Sequence, residues 1–597
     1  MLGPRVLHSL LLTTALTSAV ILDRGWWNHT VFYQIYPRSF MDSNDDGTGD
    51  LQGITSNLEY FVNSSVGAIW LSSINRSPMI DFGYDISDFK DIDKTFGSIA
   101  DFENLLARAK KLGIKVILDL VPNHTSDEHH WFNQSVNSQG KYADYYIWRD
   151  GRDENNTIPP NNWLSVFGGS AWTYNKIRNQ WYLHQFHERQ PDLNYNNSEV
   201  REEMKEIIEY WLMKGVDGFR VNAVPHLFEV NYEWDEPRSN LKGVPKTDYN
   251  YLVHTLTKDQ PQTYELVMSW RQILDNFADV HSTSEKVMMT EGYTSLENTT
   301  KYYRYGSNIP FNFNFIMDVN ADSNAIAFKK VIDDWMGAMP KHGVPNWVMG
   351  NHDRSRTASR FPGRADQMTM LAMILPGVAV TYYGEEIGMV DKTDISWEDT
   401  KDPQGCMAGI ERYQNRSRDP ARTPFQWNFD LNAGFSKANK TWLPIHADYP
   451  RINLLVQKHV NESHYKVYRA LTALRNTSNA LKIGSLTTDV INKTVLCVLR
   501  KSSDEAVTLL INFSNNNNQT VNLRRNLTEY NINKIKVASV DSKLKQNQIV
   551  QLDHFTIPPN ASVIVTSFKT AFNAAREFVA SLATILLSMF VLLTLHK

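Results

Sequence analysis

The chain has 597 residues, 42% hydrophobic and 12% aromatic, enough to bury a large core and long enough for two or three domains. Its formal net charge is only −4, with Lys and Arg scattered along it, which argues against electrostatic docking on nucleic acid and suits a neutral ligand. Two cysteines far apart, Cys406 and Cys497, exclude a disulfide framework and read as unpaired thiols.

In chain order, residues 1–19 carry Arg5, an apolar run over 10–16 and small residues ending in Thr17, Ser18 and Ala19, the layout of a cleavable secretion signal. Short β-prone runs follow at 31–37, 68–72, 115–121, 218–223, 287–292, 313–319, 346–350 and 378–383, alternating with helix-like stretches such as 101–112 and 199–214. Strand, crossover helix and strand in repetition predict a parallel sheet. Eight such runs without a Gly-rich dinucleotide turn predict an α/β fold of the (β/α)8 TIM-barrel kind, with chemistry after the strand C-termini. The barrel is expected over 20–124 and 198–482. Between them, 125–197 is rich in Trp, Asn and Gly and too long for a simple loop, so a small inserted domain is expected after strand 3. From 483 to 570 short alternating runs read as a C-terminal antiparallel β-domain.

Residues 571–597 end the chain with an uncharged apolar run over 578–595, long enough for a membrane. Two readings compete: a signal exchanged for a glycolipid anchor near Asn573, Ala574 and Ala575, which is favoured, or a single C-terminal membrane-spanning helix. Numerous Asn-X-Ser/Thr sites, Asn28, Asn63, Asn476, Asn512 and Asn526 among them, agree with passage to the cell surface and an extracellular face. Asn123 also fits that pattern, but its place beside the expected pocket argues against a glycan there.

Several strand ends deliver charged or hydrogen-bonding groups to one region: Asp85, Asn123, His124, Arg220, Asn222, Glu291, His352 and Asp353. Charges on barrel strands are costly to bury unless paired or functional, so packing explains their convergence poorly. Just after the first strand, Asp42, Asn44, Asp46, Thr48 and Asp50 alternate around Gly47, the pattern of a calcium loop. No Cys or His set has zinc spacing, so no catalytic metal is expected.

The stretches DLVPNH (119–124), GFRVNAVPHL (218–227), MMTEGY (288–293), GNHDRSR (350–356), QPDLN (190–194), GYDISDF (83–89), FGGSAW (167–172) and RDPARTPFQW (418–427) appear in family order, and the sequence resembles glycoside hydrolase family 13, the α-amylase family. Within it the likeness is to insect maltases and oligo-1,6-glucosidases. The resemblance implies roles. Glu291 looks like the general acid/base, Asp353 like the transition-state stabiliser and Arg220 like the arginine orienting the nucleophile. His124 and His352 would bond the sugar hydroxyls; Asp85, with Arg422 opposite, would close the pocket on a non-reducing glucose between Tyr84 and Phe167. Relatives carry a divalent ion in the loop of Asp42, which supports a structural calcium.

At the nucleophile position family members read GFRVDA, and here the chain reads GFRVNA. Retaining hydrolysis wants two carboxyl groups, one neutral to protonate the leaving oxygen and one ionised to attack. The amide of Asn222 cannot form the glycosyl ester, and loss of its charge is expected to lower the pKa of Glu291. The expected function is therefore an α-glucosidase-type protein acting on or binding small α-glucosides such as maltose or sucrose, with turnover impaired. The alternative is a non-catalytic, membrane-anchored sugar-binding protein or a receptor for an extracellular protein.

Overall fold

The computed structural model describes residues 23–540 and 542–569. The expected secretion signal and C-terminal anchor lie outside the described residues. Among the described residues no helix is long and apolar enough to cross a membrane.

Eight parallel strands form a nearly closed barrel: β1 (Val31–Ile35), β2 (Ala68–Leu71), β3 (Lys115–Leu120), β4 (Gly218–Val221), β5 (Val287–Thr290), β6 (Ile309–Pro310), β7 (Asn346–Val348) and β8 (Val378–Tyr382). Their hydrogen-bonded order is β6-β5-β4-β3-β2-β1-β8-β7. Sequences such as AIWL, VMMT and VAVTY are buried at every position, as strands covered on both faces must be. The one seam without ladder bonds, between β6 and β7, is bridged by a side chain. Asn346 on β7 donates from Nδ2 to the Pro310 carbonyl (2.6 Å) and accepts the Asn312 N–H at Oδ1 (2.8 Å).

The sixth strand departs from expectation. The run 313–319 is not a strand: β6 lies at Ile309–Pro310, and Asn314–Met317 is a helical turn. Alternation of Phe and Asn through 311–315 mimics a strand period. Here Phe311 and Phe313 fill the barrel interior while Phe315 packs in the outer core, so the chain turns instead of running on.

Helices cover the barrel. The helix Ile99–Lys111 starts at a reciprocal capping box between Ser98 and Asp101, and Ser198–Lys214 is capped by Asn197 and ends at Gly215 with φ 107°, the left-handed stop that glycine adopts freely. Within the expected insertion, Trp148–Arg149, Trp172–Asn175 and Gln180–Leu183 form a three-stranded antiparallel sheet. After the barrel, a five-stranded antiparallel sheet includes Val495–Lys501, Glu505–Asn512 and Ser562–Phe568. Cys406 is exposed and Cys497 buried in that sheet, both free.

Two of the glycosylation patterns are closed off by folding. Asn512 is fully buried, its Nδ2 donating to the carbonyls of Asn517, Ile557 and Pro558. Asn123 is 2% exposed and donates to Asp192. Neither side chain is accessible to a glycan in this fold.

Candidate active site

Loops following the strand C-termini enclose a cavity of about 380 Å3, within the range of small-ligand sites. Its floor is set by buried charge pairing between neighbouring strands. Arg220 on β4 is 1% exposed and donates from Nη1 to Asp119 on β3 (3.0 Å), with its guanidinium over the Trp70 ring of β2. Asp119 also accepts from Trp70 Nε1 (2.5 Å) and the Tyr84 hydroxyl (2.7 Å). A carboxylate with three donors, one of them a guanidinium, is satisfied where it sits, so Asp119 and Arg220 are fixed props rather than mobile reagents.

Asn222 follows β4 and Glu291 follows β5, adjacent strands paired in parallel. The Asn222 N–H donates to the Leu120 carbonyl. Ala223 then takes a left-handed conformation, φ 50°, uncommon for a residue with a Cβ. That turn aims the Ala223 N–H at Glu291 Oε2 (2.7 Å), and Asn222 Nδ2 faces the same oxygen at 3.4 Å. Two carboxylates so close would repel; an amide donates instead. Burial pushes the Glu291 carboxyl up; Arg220 opposes it and Asp353 reinforces it, and the net direction is upward. The acid is thus held above the ordinary glutamate range even with no carboxylate at 222.

At the other end of the cavity the groups are deeply buried. His352 after β7 stacks on Tyr84 (ring centroids 5.4 Å) and meets the Gln34 amide through Nδ1 (2.8 Å). His124 after β3 lies by the Tyr84 carbonyl (3.0 Å) and Gln190 (3.2 Å). Burial pulls their pKa values down to about 3 and about 4, so both rings are neutral near pH 7 and serve as hydrogen-bonding groups. Asp353 is different. Burial opposes its ionisation, but His352, Arg418, Arg422 and Arg220 outweigh burial and hold the carboxyl well below the usual range. Its Oδ1 accepts from Arg418 Nη1 and Arg422 Nη2, each at 3.1 Å.

One expected contact is corrected. Asp85 is fully buried and does not reach the cavity; its carboxylate accepts from Ser77 Oγ and from the N–H groups of Ile80 and Asp81. The positive φ of Met79, Phe82 and Gly83 winds this loop so that Asp81 faces the cavity instead. Asp81 Oδ1 accepts from Arg418 (2.7 Å). Arg422, expected opposite Asp85, lies 1% exposed behind Asp353 and donates to the His352 carbonyl. Phe167 lines the cavity under the Arg418 guanidinium (5.3 Å) and meets Phe186 edge-on.

A model of the α-amylase catalytic domain matches residues 34–484. The chain belongs to the α-amylase family. It is 50% identical over 504 residues to Maltase 1 of Drosophila virilis, covering 83% of this chain and 79% of that one. It is 47% identical over 489 residues to the α-glucosidase of Apis mellifera, covering 81% and 85%. In structure it is similar to the α-glucosyl transfer enzyme XgtA, with TM-score 0.80 and 33% identity over 91% of this chain and 99% of that one.

Within this α-amylase framework, the cavity residues missed from sequence include Asp81, Phe186, Asp248, Lys258, Tyr293, Arg354, Arg416 and Arg418. Arg418 opens the stretch RDPARTPFQW, and Asp81 stands four residues before Asp85. Both signals were present, but only the winding of the 79–83 turn decides which aspartate faces inward. The loop after β1 keeps its oxygen-rich character. Asp42 accepts the N–H groups of Asn44, Asp45 and Gly47, Asn44 accepts that of Asp46, and Asp46 that of Thr48. Asp50 caps the helix Leu51–Ser56. Among the described residues no three His, Cys, Asp or Glu side chains converge as a metal site. An ion here would draw on the oxygens of Asp42, Asn44, Asp46, Thr48 and Asp50, the ligand type that calcium takes.

Proposed function

We propose that this protein binds the non-reducing glucose of small α-glucosides, maltose or sucrose among them, and hydrolyses them with little or no turnover. The observation that carries the reading is Asn222, standing beside a buried Glu291 in an otherwise charged and hydrogen-bonding pocket. Its relatives' names, maltase and α-glucosidase, supply the sugar class.

In this reading Glu291, with its raised pKa, is the proton donor to the leaving oxygen. Asp353, ionised among three arginines, balances positive charge on the sugar ring. The missing step is attack: an amide nitrogen has a delocalised lone pair and no charge, so no glycosyl ester forms at 222. Losing the nucleophile costs on the order of 10⁴-fold in rate, roughly 5 kcal/mol of transition-state stabilisation. Binding is spared, because Asn keeps the size of Asp and still donates and accepts hydrogen bonds.

The test compares the purified protein with Asn222→Asp on maltose and on a chromogenic α-glucoside. A gain of several orders of magnitude in the variant supports the reading; equal and substantial rates in both overturn it. Calorimetry with millimolar maltose on the unaltered protein checks binding.

The same reading includes a structural calcium held by Asp42, Asn44, Asp46, Thr48 and Asp50. It also places the protein at the cell surface, behind a cleaved signal and on a glycolipid anchor, with a C-terminal membrane helix as the alternative anchor. A receptor role toward an extracellular protein is the second reading, favoured by the same loss of a nucleophile from a retained pocket.

A further inference from the structure

The deep end of the cavity is closed by buried groups, while its outer end is walled by exposed Asn250, Met317, Arg354 and Arg416. Four cationic side chains line the cavity. Arg418 is paired with Asp81, Asp353 and Asp402, and Arg416 with Asp248. Among the described residues the other two have no carboxylate at ion-pair distance. Arg354 has no hydrogen-bond partner among the described residues and lies over the Tyr293 ring (4.7 Å to the centroid). Among the described residues Lys258 donates from Nζ to the Tyr293 carbonyl alone. Both therefore converge on one residue, Tyr293, which follows Glu291 by two positions and also lines the cavity.

We propose that the outer wall of the pocket, through Lys258 and Arg354, receives a carboxylate carried on the aglycone side of an α-glucoside. The inference rests on the sugar-binding reading above and adds the ligand's charge. Its physical basis is an imbalance. Every acidic side chain lining the cavity except Glu291 is committed to an arginine also lining it, and Glu291 lies 3.5 Å from the buried Arg220 behind it. With an amide at 222 the reaction centre carries one fewer anion to compete for Lys258 and Arg354 or to repel an acidic ligand, and its remaining carboxylate, Asp353, is paired with Arg418 and Arg422. Burial draws the Lys258 ammonium below the ordinary lysine value, a cost that a ligand carboxylate beside it relieves. A guanidinium stacked on an aromatic face keeps its edge free for the planar fork of a carboxylate.

The test is calorimetry with maltose, maltitol and maltobionate, the last two sharing an open-chain aglycone and differing only in charge. Maltobionate is expected to bind at least about tenfold more tightly than maltitol at low salt, as one charge-assisted contact implies, with the margin narrowing as salt rises. Arg354→Gln, at an exposed position that spares folding, and Lys258→Met should each reduce that margin severalfold. Maltobionate binding no better than maltitol, or a preference unchanged in both variants, overturns the inference while maltose binding leaves the sugar-binding reading standing. Failure of all three sugars to bind overturns both.

Discussion

Asparagine and aspartate occupy nearly the same volume, and at 222 that near-identity separates binding from chemistry. The side chain faces Glu291 at 3.4 Å, a distance at which an amide is a hydrogen-bond donor and a second carboxylate would be a like charge. In the Asn222→Asp variant the restored activity should follow a bell-shaped pH profile. Its acidic limb reports ionisation of the new carboxylate. Its basic limb reports loss of the Glu291 proton and should lie above the ordinary glutamate range, because burial already raises that group and a new neighbouring charge raises it further. The two aspartates of the 79–85 turn make a second residue-scale test. Asp81→Asn should weaken maltose binding about tenfold or more by loosening Arg418, judged by charge-assisted bonds of about 1.5–3 kcal/mol. Asp85→Ala should act on stability instead, lowering the melting temperature through three orphaned donors while shifting maltose affinity far less. Burial raises the Asp85 carboxyl to about 6, above its unfolded value. Its contribution to stability is thus full below about pH 4 and is lost as pH rises through about 6. Melts of the protein against Asp85→Asn over that window should diverge accordingly.

Among the elements, the weakest seam of the barrel is where β6 has only two residues and shares no ladder with β7. Asn346 spans it with one donated and one accepted bond. Asn346→Leu leaves a buried carbonyl and a buried N–H without partners, and should cost about 2–4 kcal/mol in denaturant unfolding. The loop after β1 offers another element-scale check. If it holds calcium, chelator should lower the melting temperature of the protein and added calcium restore it, and Asp42→Ala should abolish the difference. An unchanged melting temperature in chelator would remove the ion from the account.

For the whole molecule, the barrel and the C-terminal sheet share one apolar core: Leu496, Val498, Val507, Leu509 and Ile511 cluster with barrel residues. The helix Ala365–Ile374 between them is buried nearly all round, which suits a helix covered on every side. Arg364 reaches across to Asn515 and Asn560, and Asp366 accepts the Val540 N–H. A chain ending at Ile483 should therefore be insoluble or molten, as tested by expression yield and near-ultraviolet circular dichroism. The barrel is not a free-standing unit.

How much of this was legible in advance follows from the range of the interactions involved. Seven of the eight barrel strands were readable because local apolar runs such as VFYQI, KVILDL and VAVTY have few other ways to hide both faces. The sixth was misplaced because alternating Phe and Asn satisfies a strand's period without saying that Pro310 ends the ladder. Ordered motifs located Glu291, Asp353, His124, His352 and Asn222 at strand ends, since the barrel brings all strand C-termini to one face. Sequence could not tell Asp81 from Asp85, or Arg418 from Arg422, because each pair lies four residues apart in one irregular loop. Which member turns inward depends on backbone torsions fixed by distant partners: Ser73 against Gly83, and Asp402 and Asp81 against Arg418. Which chemistry the chain carries is thus written in residue types and their order, whereas the facing of each charge is decided by long-range packing, where burial leaves no carboxylate or guanidinium free to choose its own direction.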